Sequence, residues 1–227
     1  MNSSVIKNRS STEAGFTLVE IAIVLVIIGL LLGGILKGQE MITQARIKNI
    51  VNDFNGITVA VTSYQDRYRA IPGDDLNANA RWTVQAPASG NGNGTVEGLY
   101  NDATTTTESH VFWQHLRISG FVPGLTTGAG SRTPPPNAAG GLIGVESGGA
   151  PGNPGGLGFT SLIVCFSNLP EKVASAVDGQ MDDSNPASGQ IRAQLQVGSN
   201  PATLPAANVA TAYVETGVNQ YLLCKNF

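Results

Sequence analysis

Charge is what this 227-residue sequence has least of: Asp, Glu, Lys and Arg together make up 13%, where an ordinary soluble domain carries roughly 25%. The 13 basic residues do not outnumber the 16 acidic ones, and the formal net charge is -3. A surface without a basic excess displaces few counterions from a phosphate backbone, so no specific nucleic-acid partner is expected. Cysteine is nearly absent. Cys165 and Cys224 are too few for a disulfide framework and lack the CxxC spacing of a zinc or redox site. The two histidines, His110 and His115, stand five apart and would not share a helix face, and no HExxH, P-loop, nucleophile elbow or complete dinucleotide fingerprint accompanies them. No catalytic apparatus is visible. The expectation is a protein that is not an enzyme and holds no cofactor and no metal.

In place of charge there are 28 glycines and 12 prolines, which predict that loops make up much of the fold. There is also one long apolar run. Residues 16–36, FTLVEIAIVLVIIGLLLGGIL, are almost wholly hydrophobic, and about 20 such residues rising ~1.5 Å each match the roughly 30 Å hydrocarbon core of a bilayer. This is the pattern of a membrane span. Lys7 and Arg9 form a basic flank before it, which keeps that side cytoplasmic and sends the rest of the chain across. An ordinary secretory signal fits poorly, because KGQEMITQARI follows with no A-x-A cleavage pattern. In the exported compartment thiols meet oxidising conditions, so Cys165 and Cys224 are expected to pair, with two unrelated buried thiols as the alternative.

Glu20 is the oddity of the run. An ionised carboxylate inside an apolar span costs roughly 2.5 to 3.5 kcal/mol even on the gentler insertion scales, so something must compensate it. The string Gly15, Phe16, Thr17, Leu18, Val19, Glu20, followed by the apolar run, resembles the processing site of type IV prepilins and type II secretion pseudopilins. That resemblance covers about the first 25 residues of the chain. It implies that a prepilin peptidase cuts between Gly15 and Phe16, that the new Phe16 amine is N-methylated, and that Glu20 meets the N-terminus of a neighbouring subunit. A buried carboxylate is tolerable when an ammonium from another chain neutralises it. Where major subunits often carry a proline, Lys37 stands here; Gly29, Gly33, Gly34 and Gly38 supply either local weakness in the helix or close packing against other membrane helices.

Beyond the span, Ile47, Ile50, Phe54, Ile57, Val61, Tyr64 and Tyr68 recur in steps of three and four, which is one stripe of a helix. Pro72 and Gly73 predict a stop near Ile71, giving one helix of about 50 residues whose striped face is covered by a small sheet. The resemblance implies the same α+β, type IV pilin-like architecture: a long N-terminal helix, its first half transmembrane, packed on a small antiparallel sheet with long loops. Strand candidates are residues 162–166, 190–197, 212–214 and 221–224, and short helices are expected at 111–116, whose aromatics would seal the core, and at 171–177. Two loop systems, 72–98 and 124–158, are rich in glycine, and both suit surface presentation. The organisation expected is a cleaved leader at 1–15, a membrane or filament-core helix half at 16–37, an amphipathic half at 38–71 and an exported globular domain at 72–227.

Two acidic loops offer hard oxygen ligands at short spacing: Asp74, Asp75, Asn77 and Asn79, and Asp178, Asp182 and Asp183 with Asn185. Neither has the EF-hand pattern, and Asp and Asn are the expected turn formers, so turn chemistry is the favoured reading of both. An analogy to pseudopilins that hold calcium near a C-terminal loop keeps the second cluster open. The resemblance further implies, as partners, copies of the chain itself and other pilins, the prepilin peptidase, the membrane and the inner-membrane pilus assembly machinery. Its location would be the inner membrane as precursor, then an extracellular pilus or a periplasm-spanning pseudopilus. A minor pilin or pseudopilin with a tip, adhesive or assembly-initiating role is the alternative to a shaft subunit. Pilus, type II secretion and DNA-uptake systems share this N-terminus.

Overall fold

The structure is a computed structural model and describes residues 15–150, 153 and 155–227. The expected leader, with Lys7 and Arg9, lies outside the described residues apart from Gly15, and so do parts of the glycine- and proline-rich stretch near residue 152. The chain divides into two units, Met1–Thr43 and Gln44–Phe227. Helix α1, Leu18–Tyr68, runs through the boundary without a break. Gly29, Gly33, Gly34 and Gly38 lie within it without a break, and a side chain at any of them would meet nothing within 4 Å.

Within the second unit, the stripe foreseen on α1 is the one that is buried: Ile47, Ile50, Phe54, Ile57, Val61 and Tyr64, with Ala60 added and Tyr68 half-buried. Phe54 meets Phe166 of the sheet with ring centroids 4.0 Å apart. The helix stops at Tyr68, three residues before the expected Ile71, because Arg69 adopts a left-handed backbone (φ 56°) that turns the chain out of the helix. Three further helices are α2 (Ala78–Arg81), α3 (Glu108–Ile118) and α4 (Glu171–Met181). The two longer ones extend the segments expected at 111–116 and 171–177, and Phe112 and Trp113 of α3 do close the core.

The sheet has four antiparallel strands in the order β1-β2-β4-β3: β1 (Ile143–Ser147), β2 (Leu162–Pro170), β3 (Ile191–Leu195) and β4 (Gln220–Asn226). Both of its faces are covered. Val164, Phe166, Tyr221 and Leu223 point to the core shared with α1 and α4. Ile163, Cys165, Leu222 and Cys224 point to a second cluster with Tyr100, Leu157 and Phe159. Burial on both sides removes the need for polar alternation, which is why the strands read as short apolar runs with weak periodicity.

Two strand expectations fail. Residues 212–214 are irregular; Tyr213 holds this stretch through its side chain, donating to Asp178 Oδ2 (2.7 Å) and packing on Tyr221, while Val214 N–H donates to the Tyr221 hydroxyl oxygen. Side-chain anchors have replaced ladder bonds there. Conversely, β1 lies inside the loop system expected at 124–158. Its sequence IGVES hides it: Gly144 is the only residue that fits where the Tyr100 main chain crosses the strand, and Glu146 is buried. The Glu146 carboxylate accepts from Tyr100 N (2.9 Å) and the Thr203 hydroxyl (2.5 Å), and burial pushes its pKa up. A strand with a glycine and a buried acid has no strand signature in sequence.

Candidate functional site

The N-terminal start of α1 carries the residues singled out for processing and docking. Gly15 and Phe16 precede the helix, and both are exposed. Thr17 and Glu20 lock its first turn reciprocally. Glu20 N–H donates to Thr17 Oγ1 (3.3 Å), while Glu20 Oε2 accepts from Thr17 N (2.8 Å) and from the Thr17 hydroxyl (2.8 Å). This is a capping box, in which two orphan N–H groups of a helix start are satisfied by side chains three residues apart. The T-x-x-E pattern before an apolar run was legible in the sequence, and reading Glu20 only as a charge in need of a second chain passed over it. Part of the carboxylate is thus satisfied locally. Among the described residues, Oε1 accepts no hydrogen bond.

After the cap the helix is apolar all round. Leu18 is 91% exposed and Leu30 74%, and the most apolar 18-residue window has a mean hydropathy of 2.8 with no residue buried. A helix with that length and composition, and no covered face, is suited to hydrocarbon or to a bundle of like helices and not to water. The first charges after the run are Lys37 and Glu40, paired on the surface at 2.9 Å.

The acidic loops resolve differently. At the first, Asp74 accepts from Gly92 N (2.6 Å), Asn93 N (3.1 Å) and Gly94 N (2.7 Å). Asp75 accepts from the Tyr64 hydroxyl (2.7 Å), from Asn77 N (2.9 Å) and from Arg81. Ringed by donors, these carboxylates hold the loop 72–98 against the end of α1; a cation would have to displace all of them. Asn79 does not join them, since its side-chain amide donates to Pro87 O (3.0 Å). At the second loop, Asp178, Asp182 and Asp183 do converge, with oxygens all within 4.8 Å of one another. Asp182 accepts from Ile191 N (2.8 Å) and so starts β3; Asp183 accepts from Asn185 N (2.9 Å) and the Ser188 hydroxyl (2.6 Å). Burial, with the neighbouring carboxylates of Asp183 and Asp182, raises the Asp178 pKa. Asn185 stays in its own turn, accepting from Ala187 N (3.1 Å).

His110 and His115 have separate structural partners. His115 accepts from Gly73 N at Nδ1 (3.0 Å), which leaves the proton on Nε2 to donate to Ala88 O (2.8 Å), and burial lowers its pKa to about 4. Gly73 sits at φ 91° where a side chain would strike Glu108 O of α3. His110 bridges the carbonyls of Arg132 and Asp102. Cys165 and Cys224 face each other across β2 and β4, Cα atoms 4.1 Å apart, and form the expected disulfide.

No curated protein matches the chain in sequence. A family model described as the prokaryotic N-terminal methylation motif matches residues 10–36. That span contains Gly15, Phe16, the capping box and the apolar run. With the long N-terminal helix and the small antiparallel sheet in place, the chain has a pilin-like α+β layout and carries the type IV prepilin and pseudopilin signature on a helix long and apolar enough to cross a membrane.

Proposed function

We propose that the chain is a structural subunit of a type IV pilus or pilus-like filament, cut by prepilin peptidase between Gly15 and Phe16, N-methylated on Phe16 and polymerised through α1. The observation that carries this reading is the uncovered apolar first part of α1, which follows the methylation motif directly. Such a surface is stable in a bilayer before assembly and in a bundle of identical helices after it. The sheet offers no competing route. β1 is met by Pro135 O at Ile143 N (2.8 Å) and by Val96 O at Ser147 N (3.2 Å), and on β3 Ala193 is bonded to Pro186 and Ala210 (2.9 and 2.8 Å). Edges met in this way resist strand addition between copies.

In this reading Glu20 has two roles at once: Oε2 caps its own helix, and Oε1 receives the Phe16 ammonium of the neighbouring subunit. The role is structural and requires no reaction by this chain; the peptidase, other pilins and the inner-membrane assembly machinery are its partners. Replacing Glu20 by Gln separates the two roles, because Gln serves a capping box as Glu does but carries no charge. Expected are parental membrane levels, normal cleavage after Gly15 and a sharp fall in filament yield by electron microscopy of sheared surface material. Equal filament yield would rule out charge pairing. Gly15 changed to a bulky residue should leave uncut, full-length chain in the membrane, read by mass spectrometry of its N-terminus.

A minor subunit with a tip, adhesive or initiating role is the second reading. Lys37 in place of the proline of many major subunits favours it. If purified filaments consist mainly of this chain, that reading fails.

A further inference from the structure

On the second unit, a pocket of about 310 Å³ opens between α1, the middle of α3 at Trp113 with the segment after that helix, and the proline pair before β1. Its walls are largely apolar, with Ile57, Trp113, Phe121, Pro135 and Pro136 among them, and Asn52 and Asp53 supply polar groups. Asp53 is the one ionisable group on the lining. Among the described residues no N–H, hydroxyl or cation meets its carboxylate, in contrast with Asp74 and Asp75, whose every oxygen is met by donors. Water is partly excluded from Asp53 by its position on the half-buried flank of the stripe, and burial alone raises its pKa, with no charge close enough to act on it.

A half-buried carboxylate has lost part of its hydration, and an opposite charge seated in the pocket would replace it. Aromatic walls around a lone anion are chemistry suited to an organic cation, whose charge pairs with the carboxylate and whose carbon skeleton covers the rings and prolines. We propose that this pocket binds a small organic ammonium ion, with Asp53 as its counter-ion and Trp113, Phe121 and the flanking prolines as its apolar wall. The volume holds a molecule of one ring and a short chain. Neither the helix docking of a filament nor the N-terminal motif requires such a site, and nothing in it depends on them.

Isothermal titration of the full chain in maltoside micelles, with empty micelles as blank, tests this using phenethylammonium and its neutral counterpart 2-phenylethanol. The expected result is at least about tenfold tighter binding of the ammonium, the size of a charge-assisted contact, with Asp53→Asn bringing the two probes to equal affinity. Equal affinities in the parent, or no binding of either probe, would overturn the proposal, and these readings do not depend on any variant folding. So would an Asp53→Asn protein that keeps its preference for the ammonium. Nα-acetyl-lysine methylamide is the third probe: if it binds more tightly than phenethylammonium, the site takes a lysine side chain of a protein partner and the free-ligand assignment fails.

Discussion

Helix α1 is one helix in two environments. Up to Leu36 its large apolar side chains are exposed on every side, whereas from Ile47 to Tyr64 one apolar stripe is buried and Val59 is the large apolar residue left exposed off it. Backbone geometry is the same in both parts, so the difference lies in what each part must satisfy. The first has no surface of its own chain to cover it; the second has its apolar stripe matched within its own chain. A helix that is apolar all round resists a defined rotation, and a striped one fixes it. Only the second part can therefore place α1 on the sheet.

Substitution of core residues should break the symmetry of the two parts most strongly. Phe54→Ala removes a fully buried ring from its contact with Phe166 and should destabilise the second unit by up to about 5 kcal/mol, whereas Leu25→Ala should leave that unit unchanged. Urea unfolding of the full chain in micelles, followed by tryptophan fluorescence, measures both. An equal loss for the two variants would mean that the first part also folds against the domain.

Removal of the disulfide acts on the second unit alone. Cys165 and Cys224 are 59 residues apart, and opening a loop of that size should lower stability by about 4 kcal/mol in the chain-entropy model. The Cys165→Ala, Cys224→Ala double variant should still insert in membranes and be cut after Gly15, with a lower urea midpoint.

Acid should weaken the second unit through His115. Its pKa is about 4 when folded, against an ordinary 6.5 when unfolded. Above 6.5 both states are neutral and the contribution is complete; from 6.5 down to 4 only the unfolded chain gains the proton, so stability falls by about 3 kcal/mol, and below 4 the loss levels off. Opposing it are the buried or half-buried carboxyls of Glu146, Asp178, Glu108 and Asp53, whose raised pKa values make folding more favourable as pH falls. Unfolding curves of the parent and His115→Gln across this range isolate the histidine: the variant should be less stable at neutral pH and lose less on acidification.

The smallest effect belongs to the first part. Thr17→Val removes the hydroxyl that accepts from Glu20 N, at a cost of about 1 kcal/mol to the helix start, and the second unit should not respond. Hydrogen exchange at Leu18 to Ile21 should rise while exchange in the sheet stays constant.

Much of this was legible because it depends on local pattern. The span, the stripe and its seven positions, the helix count near 50 residues and the strands around Cys165 and Cys224 all follow from side-chain spacing that the backbone period imposes. The cap at Thr17 was equally local, and a charge placed in an apolar run drew attention away from it. Strand β1 was not legible. Glycine at residue 144 and a carboxylate at 146 argue against a strand until Tyr100 and Thr203, distant in sequence, are seen to require the one and satisfy the other.

The sequence by itself determined that this chain has an apolar N-terminal helix headed by a methylation motif, and that the helix continues with one buried face. These follow from hydrophobicity and periodicity, which act between near neighbours. Only the tertiary structure decided that both sheet faces are covered, that the Asp74 and Asp75 loop is held by backbone and side-chain donors, that residues 212–214 are anchored by side chains, and that Asp53 is left without a partner beside a largely apolar pocket. Each of these depends on groups 10 or more residues apart meeting in space, and no spacing rule along the chain specifies such meetings.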